Sequence, residues 1–371
     1  MGRKICILCE RWESGGIESF LCNVLLRIDM TDLNVDIVAA EIKESIFTQK
    51  LKDKGINFIE LSGNCYNIFK NYALFKRLLK EERYSVVHLN AFQGMSLYYI
   101  HLAKFHGVPC RIIHSHNSAL RQSKLRWIKT VVHNIYSLLF AQDGTDFWSC
   151  SQRAARFLFP EELLRRMNYV LIPNGIDTDR FQFYFEIRER TRKKLHLSDK
   201  FVIGNVGRLC EQKNQKFLLE VFSRVLIDRP NSVLLFVGEG VDCNQLKELA
   251  EQLNIAKSVI FYGNSDKVEE LLCAMDVFAM PSFFEGLPLV VVEAQASGLP
   301  ILYNEDLARE AALTDTFYFL PLSIKDWTRV LLTLENNSNN EREHAAKIVK
   351  LKGYDIRNTV NTIAKFYTGS Y

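Results

Sequence analysis

Val277-Phe278-Ala279-Met280-Pro281-Ser282-Phe283-Phe284-Glu285-Gly286-Leu287-Pro288-Leu289-Val290-Val291-Val292-Glu293-Ala294-Gln295-Ala296-Ser297-Gly298 opens on a short apolar run, breaks at a proline, and closes on a longer apolar stretch that ends in glycine. The run Val277–Met280 has the length of a buried strand, the loop after it carries a carboxylate, and Gly286 permits a close backbone turn. Pro288 suits the first position of a helix. A strand that feeds a helix through a short loop is half of a βαβ unit, from which parallel sheets are built.

The same alternation extends in both directions. Strands are expected near Lys4–Cys9, Asn34–Ala40, Asn57–Leu61, Ser85–Leu89, Cys110–His114, Asp146–Ser149 and Tyr169–Ile172, and in a second series near Phe201–Val206, Ser232–Val237, Ser258–Tyr262, Val277–Met280 and Pro300–Leu302, with helical stretches between. The turn Pro173-Asn174-Gly175-Ile176-Asp177 and the charge run Arg188–Lys194, read as solvated, separate the two series. The polar stretch Asn336–Glu343 reads as a loop. The last helical segment, about Ile356–Phe366, could cross back to the first domain. The expected architecture is α/β, with one doubly wound domain over 1–173 plus 354–371 and a second over 174–353.

Bulk composition narrows the function. The 371 residues, 48% hydrophobic and 24% charged, exceed one ordinary core and suit a soluble globular chain. No apolar run is long enough to span a membrane, and Met1-Gly2-Arg3-Lys4 leads directly into Ile5–Cys9 without the long apolar centre of a signal peptide, so the expected compartment is the cytoplasm. The nine scattered cysteines read as reduced thiols; Cys6 and Cys9, if on one strand, point to opposite faces. A net charge of +4 is too small to argue for nucleic acid. Between Arg111 and Gln142, however, there is no acidic residue, while Arg111, Arg121, Lys124, Arg126 and Lys129 are all cationic.

Ligands of open parallel sheets bind beyond the carboxyl ends of strands. Four such places carry chemistry. Ser14-Gly15-Gly16-Ile17-Glu18 opens a helix expected over Ile17–Ile28, either as a phosphate cradle or as an ordinary flexible loop. It lacks the third glycine of a dinucleotide fingerprint. Gly207-Arg208, with Lys213, could neutralise a pyrophosphate or form a solvated surface pair. His114 and His116 end a strand without a matched acidic or cysteine cluster, so a hydrogen-bonding histidine in a cleft and a packed strand histidine are both preferred to a metal site. Glu285 and Glu293, eight residues apart, span at most about 12 Å along a helix. That spacing suits one carboxylate on a sugar and one on a ribose.

Glu285 and Glu293 form an E-x7-E motif, and Gly-Gly-Ile-Glu (15–18), His-Ser-His-Asn (114–117), Pro-Asn-Gly-Ile-Asp (173–177), Gly-Arg-Leu-Cys-Glu-Gln-Lys-Asn (207–214) and Gly-Glu-Gly (238–240) accompany it in order. With this set the chain resembles the family 4 retaining glycosyltransferases over essentially its whole length. The resemblance implies a GT-B fold, in which two Rossmann-like domains face a cleft. It implies that Glu285 holds the transferred sugar, that Gly286, Leu287, Leu289 and Val290 support sugar and phosphate, and that Glu293 binds the ribose. Arg208 and Lys213, with Gly15 and Gly16, would stabilise the departing diphosphate, His116 would face the donor sugar, and the base would lie near Tyr262 and Gly263. Front-face substitution with retention needs no protein nucleophile, cofactor or metal, so Asp177-Thr178-Asp179 reads as a capping turn. Asn214 stands where the family often has glycine.

The family's habits point to a nucleotide diphosphate sugar, commonly a UDP-sugar, and to a glycan or polyprenyl-diphosphate-linked acceptor in capsule, exopolysaccharide or O-antigen assembly. The segment Arg121–Gln142 could lie on anionic membrane or simply pack on its sheet. The competing readings are another GT-B enzyme such as a phosphorylase, synthase or epimerase, and a non-catalytic sugar-nucleotide-binding subunit. The latter should have lost Glu285, His116 or Lys213, and all three are present.

Overall fold

A computed structural model of the chain describes residues 2–13, 15–120, 126–167, 169–285, 287–334 and 339–369, the side chains of 339–341 excepted. Ser14, Arg121, Lys124 and Gly286, singled out above, lie outside the described residues. The chain divides into two units, Met1–Gly175 with Ile356–Tyr371, and Ile176–Asp355. Both crossings fall two residues beyond the expected 173/174 and 353/354. The cause is local: the Ile176 amide donates to the Tyr354 carbonyl at 2.9 Å and Thr178 Oγ1 to Asp355 Oδ2 at 2.6 Å, which ties the two crossing strands together.

The first unit holds a seven-stranded sheet of β1 (Arg3–Trp12), β2 (Leu33–Ile42), β3 (Asn57–Glu60), β4 (Val86–Ala91), β5 (Cys110–Ser115), β6 (Asp146–Ser149) and β7 (Val170–Leu171). Its order is β3-β2-β1-β4-β5-β6-β7, and every pairing is parallel. The second unit holds β8 (Phe201–Val206), β9 (Ser232–Val237), β10 (Val259–Phe261), β11 (Val277–Met280), β12 (Ile301–Asn304) and β13 (Phe317–Leu320) in the order β10-β9-β8-β11-β12-β13, again all parallel. Strands such as β8, β9 and β11 are buried along their whole length, as a sheet covered on both faces requires. Both orders reverse once, between β1 and β4 and between β8 and β11.

Twelve of the thirteen strands coincide with expected ones. The thirteenth, Phe317–Leu320, is a half-buried edge strand whose four residues are too few to display a period. The helix Ile356–Thr368 belongs to the first unit, where Tyr367 and Ile363 are buried.

Two segments differ from their reading. Arg188–Lys194 is solvated only in part: it lies in the helix Phe185–Lys194, with Glu189, Arg190, Lys193 and Lys194 exposed but Arg188 and Arg192 buried. Both guanidiniums meet Asp276 at the foot of β11, Arg192 Nη1 at 3.1 Å, and Asp276 Oδ2 also accepts the Val202 amide of β8 at 2.7 Å. Of the expected loop 336–343, the described part belongs to the helix Asn339–Val349. Arg342 is buried there and donates to the carbonyls of Ser297 (3.0 Å), Met275 (3.0 Å) and Leu272 (3.2 Å).

Candidate functional site

At the reversal point of the second sheet, the segment after β8 and the loop after β11 are fastened together. Gly207 leaves β8 at φ 149°, and a Cβ on Gly238 (φ 128°) would stand 2.3 Å from the Gly207 carbonyl oxygen, so the Gly-Glu-Gly turn after β9 packs backbone to backbone. The turn Glu211–Lys213 follows. Gln212 grips the facing loop at two points: its carbonyl accepts the Phe283 amide at 2.9 Å, and its side-chain Nε2 donates to the Phe284 carbonyl at 2.9 Å. Asn214 Nδ2 donates to the Pro281 carbonyl at 3.2 Å. Asn214 itself is left-handed, φ 55°, which explains why glycine is the frequent residue here and why asparagine substitutes for it.

This clamp brings Lys213 and Glu285 together. Lys213 Nζ lies 2.7 Å from Glu285 Oε1, and the side chains are only 15% and 10% exposed. From beneath, Asn205 Nδ2 donates to the Ala279 carbonyl (2.8 Å) and Asn304 Nδ2 to the Ser282 carbonyl (2.9 Å), which fixes the path of the loop. Leu287 and Leu289 are buried and Val290 is half-buried. Pro288 is the cap of the helix Leu289–Ala296, one residue earlier than expected.

Glu293 is half-buried on that helix. Burial pushes its carboxyl up to about 7, against the Arg180 guanidinium, which lowers it, and with Glu269, which raises it further. Arg208 is exposed, and its carbonyl accepts from Gln215 Nε2 at 3.1 Å. Tyr262 and Gly263 are half-buried beyond β10, where the Gly263 carbonyl accepts the Gly238 amide at 2.8 Å. The second unit therefore gathers a cation, two carboxylates and a helix start around one sheet edge, groups that suit hydroxyls and phosphate.

The first unit carries Gly15, Gly16 and His116. Gly15 caps the helix Gly16–Leu25, which begins one residue before and ends three before the expected Ile17–Ile28. A carboxylate already occupies this start: Glu18 is buried, its Oε1 accepts the Glu13 amide at 3.0 Å, and a Cβ on Gly15 would stand 2.6 Å from its Oε2.

His116 is buried, and its Nε2 lies 2.9 Å from Asn90 Oδ1. Its ring sits 4.0 Å from that of His114, and His114 Nδ1 lies 3.3 Å from His88 Nε2. His88 Nδ1 is in turn 2.7 Å from Tyr367 Oη, on the C-terminal helix. Burial depresses all three imidazoles, His88 and His116 to about 3, so they are neutral at physiological pH. His88 and Asn90 belong to no sequence motif, and Gln212 lies inside the Gly-Arg-Leu-Cys-Glu-Gln-Lys-Asn motif with no role of its own assigned by it. Strand alternation could have placed His88, Asn90 and His114 in one column, since β4 and β5 pair residue by residue, His88 with Ile112 and Asn90 with His114.

Comparison with known proteins extends this geometry. The family model for Glycosyltransferase Family 4 matches residues 14–180, and that for Glycosyl transferases group 1 matches 187–350. EpsF of Bacillus subtilis (strain 168), a protein named as a glycosyltransferase, is 27% identical over 377 residues, 98% of this chain and 96% of its own. The Escherichia coli UDP-Gal:alpha-D-GlcNAc-diphosphoundecaprenol alpha-1,3-galactosyltransferase is 32% identical over 250 residues, 65% of this chain and 64% of its own. Among solved structures, Anabaena Alr3699/HepE in complex with UDP and glucose superposes with a TM-score of 0.78 at 17% identity, covering 98% of each chain. WaaG, a glycosyltransferase involved in lipopolysaccharide biosynthesis, gives 0.72 at 18% identity over 98% of this chain and 100% of its own. At these identities the structures speak for the fold.

Proposed function

We infer, from the premise that this chain belongs to the family 4 glycosyltransferases and has the GT-B fold, that it moves a hexosyl-type sugar from a nucleotide diphosphate sugar, a UDP-sugar, to a glycan or polyprenyl-diphosphate-linked acceptor in surface polysaccharide synthesis. The observation that carries the reading is the Lys213–Glu285 pair, a cation and a carboxylate fixed 2.7 Å apart at the reversal point of the second sheet.

In this reading Glu285 accepts hydrogen bonds from the donor sugar's hydroxyls while Lys213 and Arg208 face the diphosphate. The bond from anomeric carbon to phosphate oxygen breaks, and the bond to the acceptor oxygen forms on the same face, so configuration is retained. The acceptor's proton leaves with the diphosphate. Cationic side chains meet the developing phosphate charge in place of a metal ion, and catalysis is largely positioning and electrostatic stabilisation. Glu293 takes the ribose hydroxyls, Tyr262 and Gly263 border the base, and His116, held neutral, donates or accepts a hydrogen bond at the sugar.

The enzyme works at the inner face of the plasma membrane, with the helix Arg126–Phe140 as its peripheral contact. The test is a screen of UDP-, GDP- and ADP-sugars for protection against thermal unfolding, followed by donor hydrolysis. Protection by a UDP-sugar, with turnover lost in Glu285→Ala and Lys213→Ala, supports the reading. Protection without any turnover favours a non-catalytic sugar-nucleotide-binding subunit, and no protection by any nucleotide sugar overturns both.

A further inference from the structure

Lys213 and Glu285 are each other's counter-charge, 2.7 Å apart with side chains only 15% and 10% exposed. The two differ in freedom. Lys213 ends a flexible four-carbon stem that lies over the bare α-carbon of Gly207, where a Cβ would stand 3.4 Å from Lys213 Cε and 3.8 Å from Nζ. Its ammonium can swing to another anion. Glu285 follows a loop pinned at four consecutive residues: Pro281 by Asn214 (3.2 Å), Ser282 by Asn304 (2.9 Å), and Phe283 and Phe284 by Gln212 (2.9 Å each). The carboxylate stays where it is.

Charge then ranks the ligands. A nucleoside diphosphate draws the ammonium to its phosphates and leaves the carboxylate facing another negative charge. Stripping one member of a poorly solvated ion pair of its partner is strongly unfavourable. A nucleotide sugar draws the same ammonium but places hydroxyls beside the carboxylate, and hydrogen bonds to an ionised acceptor are the stronger kind. The sugar also separates carboxylate from phosphate.

We propose that the Lys213–Glu285 pair is an exchange switch that favours a nucleotide sugar over the nucleoside diphosphate left after transfer: Lys213 passes to the diphosphate at low cost only while a sugar occupies Glu285. This rests on the glycosyltransferase reading above and adds to it the basis on which the spent nucleotide leaves. Once the sugar has gone, Lys213 returns to Glu285 and the diphosphate loses a cation. Plain repulsion by Glu285 would give a different pattern. A carboxylate that only repels phosphate acts with or without Lys213, whereas exchange needs both members of the pair.

The experiment measures Kd by calorimetry on the full chain, for UDP and for whichever of UDP-glucose, UDP-galactose and UDP-N-acetylglucosamine best protects it from unfolding. Glu285→Gln, which keeps the side-chain shape, should bind the UDP-sugar about tenfold more weakly and UDP about tenfold more tightly. In the Lys213→Met background the same substitution should change UDP affinity by less than about twofold. Weaker or unchanged UDP binding in Glu285→Gln overturns the proposal, and so does an equal gain in the Lys213→Met background, the signature of plain repulsion. The wild-type chain supplies a check that needs no variant to fold. The free sugar of that donor, added at saturation, should tighten UDP binding, and a sugar without effect on it overturns the proposal too. A wild-type chain that binds neither UDP nor any of the three UDP-sugars overturns instead the UDP-sugar reading on which the switch rests.

Discussion

Lys213 Nζ and Glu285 Oε1 are 2.7 Å apart in a part of the second unit where both side chains are mostly withdrawn from water. Each neutralises the other, and removal of one leaves a poorly solvated charge. Lys213→Met and Glu285→Gln should each lower unfolding free energy by about 1–3 kcal/mol, whereas the double variant should cost clearly less than the sum. Denaturant melts of the four proteins measure this coupling. Additive losses would mean that the two groups do not interact in solution.

Glu293 gives stability a pH dependence of defined sign. Its carboxyl titrates at about 7 in the folded chain and nearer 4.5 when unfolded. Between those values the folded state holds the extra proton, so each rise in pH disfavours folding, and above about 7 the penalty is constant. Glu293→Gln removes it. The variant's melting temperature should match wild type near pH 4.5, pull ahead through pH 7, and keep that lead at pH 8.5. A lead that is the same at all three pH values would show an ordinary carboxyl. The buried histidines act in the opposite direction, because His88 and His116 are depressed to about 3: their contribution is present above about 6.5 and is lost as pH falls toward 3.

Arg342 tests a part of the fold that has no motif. Its guanidinium bonds three carbonyls, of Ser297, Met275 and Leu272, and lies 4.1 Å from the Phe183 ring centre. Burial pushes it down to about 9. Arg342→Lys keeps a charge but cannot reach three acceptors in a plane, so it should destabilise the second unit by about 2–4 kcal/mol. Fragment-resolved hydrogen exchange should show the loss around 272–276 and 297. Wild-type protection there would refute the assignment.

What could be read in advance, and what could not, follows from range. Val277–Met280 is apolar over its whole length and Phe201–Val206 at every position but Gly204 and Asn205, so burial on both faces is written locally, and Glu285, Lys213 and Glu293 sit at fixed offsets from such runs. Arg188 and Arg192 look like a solvated charge run because their partner, Asp276, is 88 and 84 residues away. His88 and His114 are 26 residues apart on different strands. Only the parallel register of β4 with β5 makes them neighbours.

The helix Arg126–Phe140 remains the feature whose apolar side is uncovered. Trp127 is 68% exposed and Leu138 69%, with Ile128, Val131, Ile135 and Leu139 also exposed, while only His133 and Ser137 are buried. Residues 128, 131, 135 and 138 recur at helical spacing, so they form one stripe, and Arg126 and Lys129 stand exposed at its start. No described helix is long and apolar enough to cross a membrane, so contact with lipid would be in the plane of the surface. Vesicles of phosphatidylglycerol should therefore retain the chain in co-sedimentation at low salt, vesicles of phosphatidylcholine much less, and added salt should weaken the first, because cations and acidic headgroups are screened. Trp127→Ser and Leu138→Ser should each cut binding about tenfold, in line with about 1.5–3 kcal/mol for burying a large apolar side chain. Equal retention by both lipids, insensitive to salt and to these substitutions, would leave the stripe to some other partner.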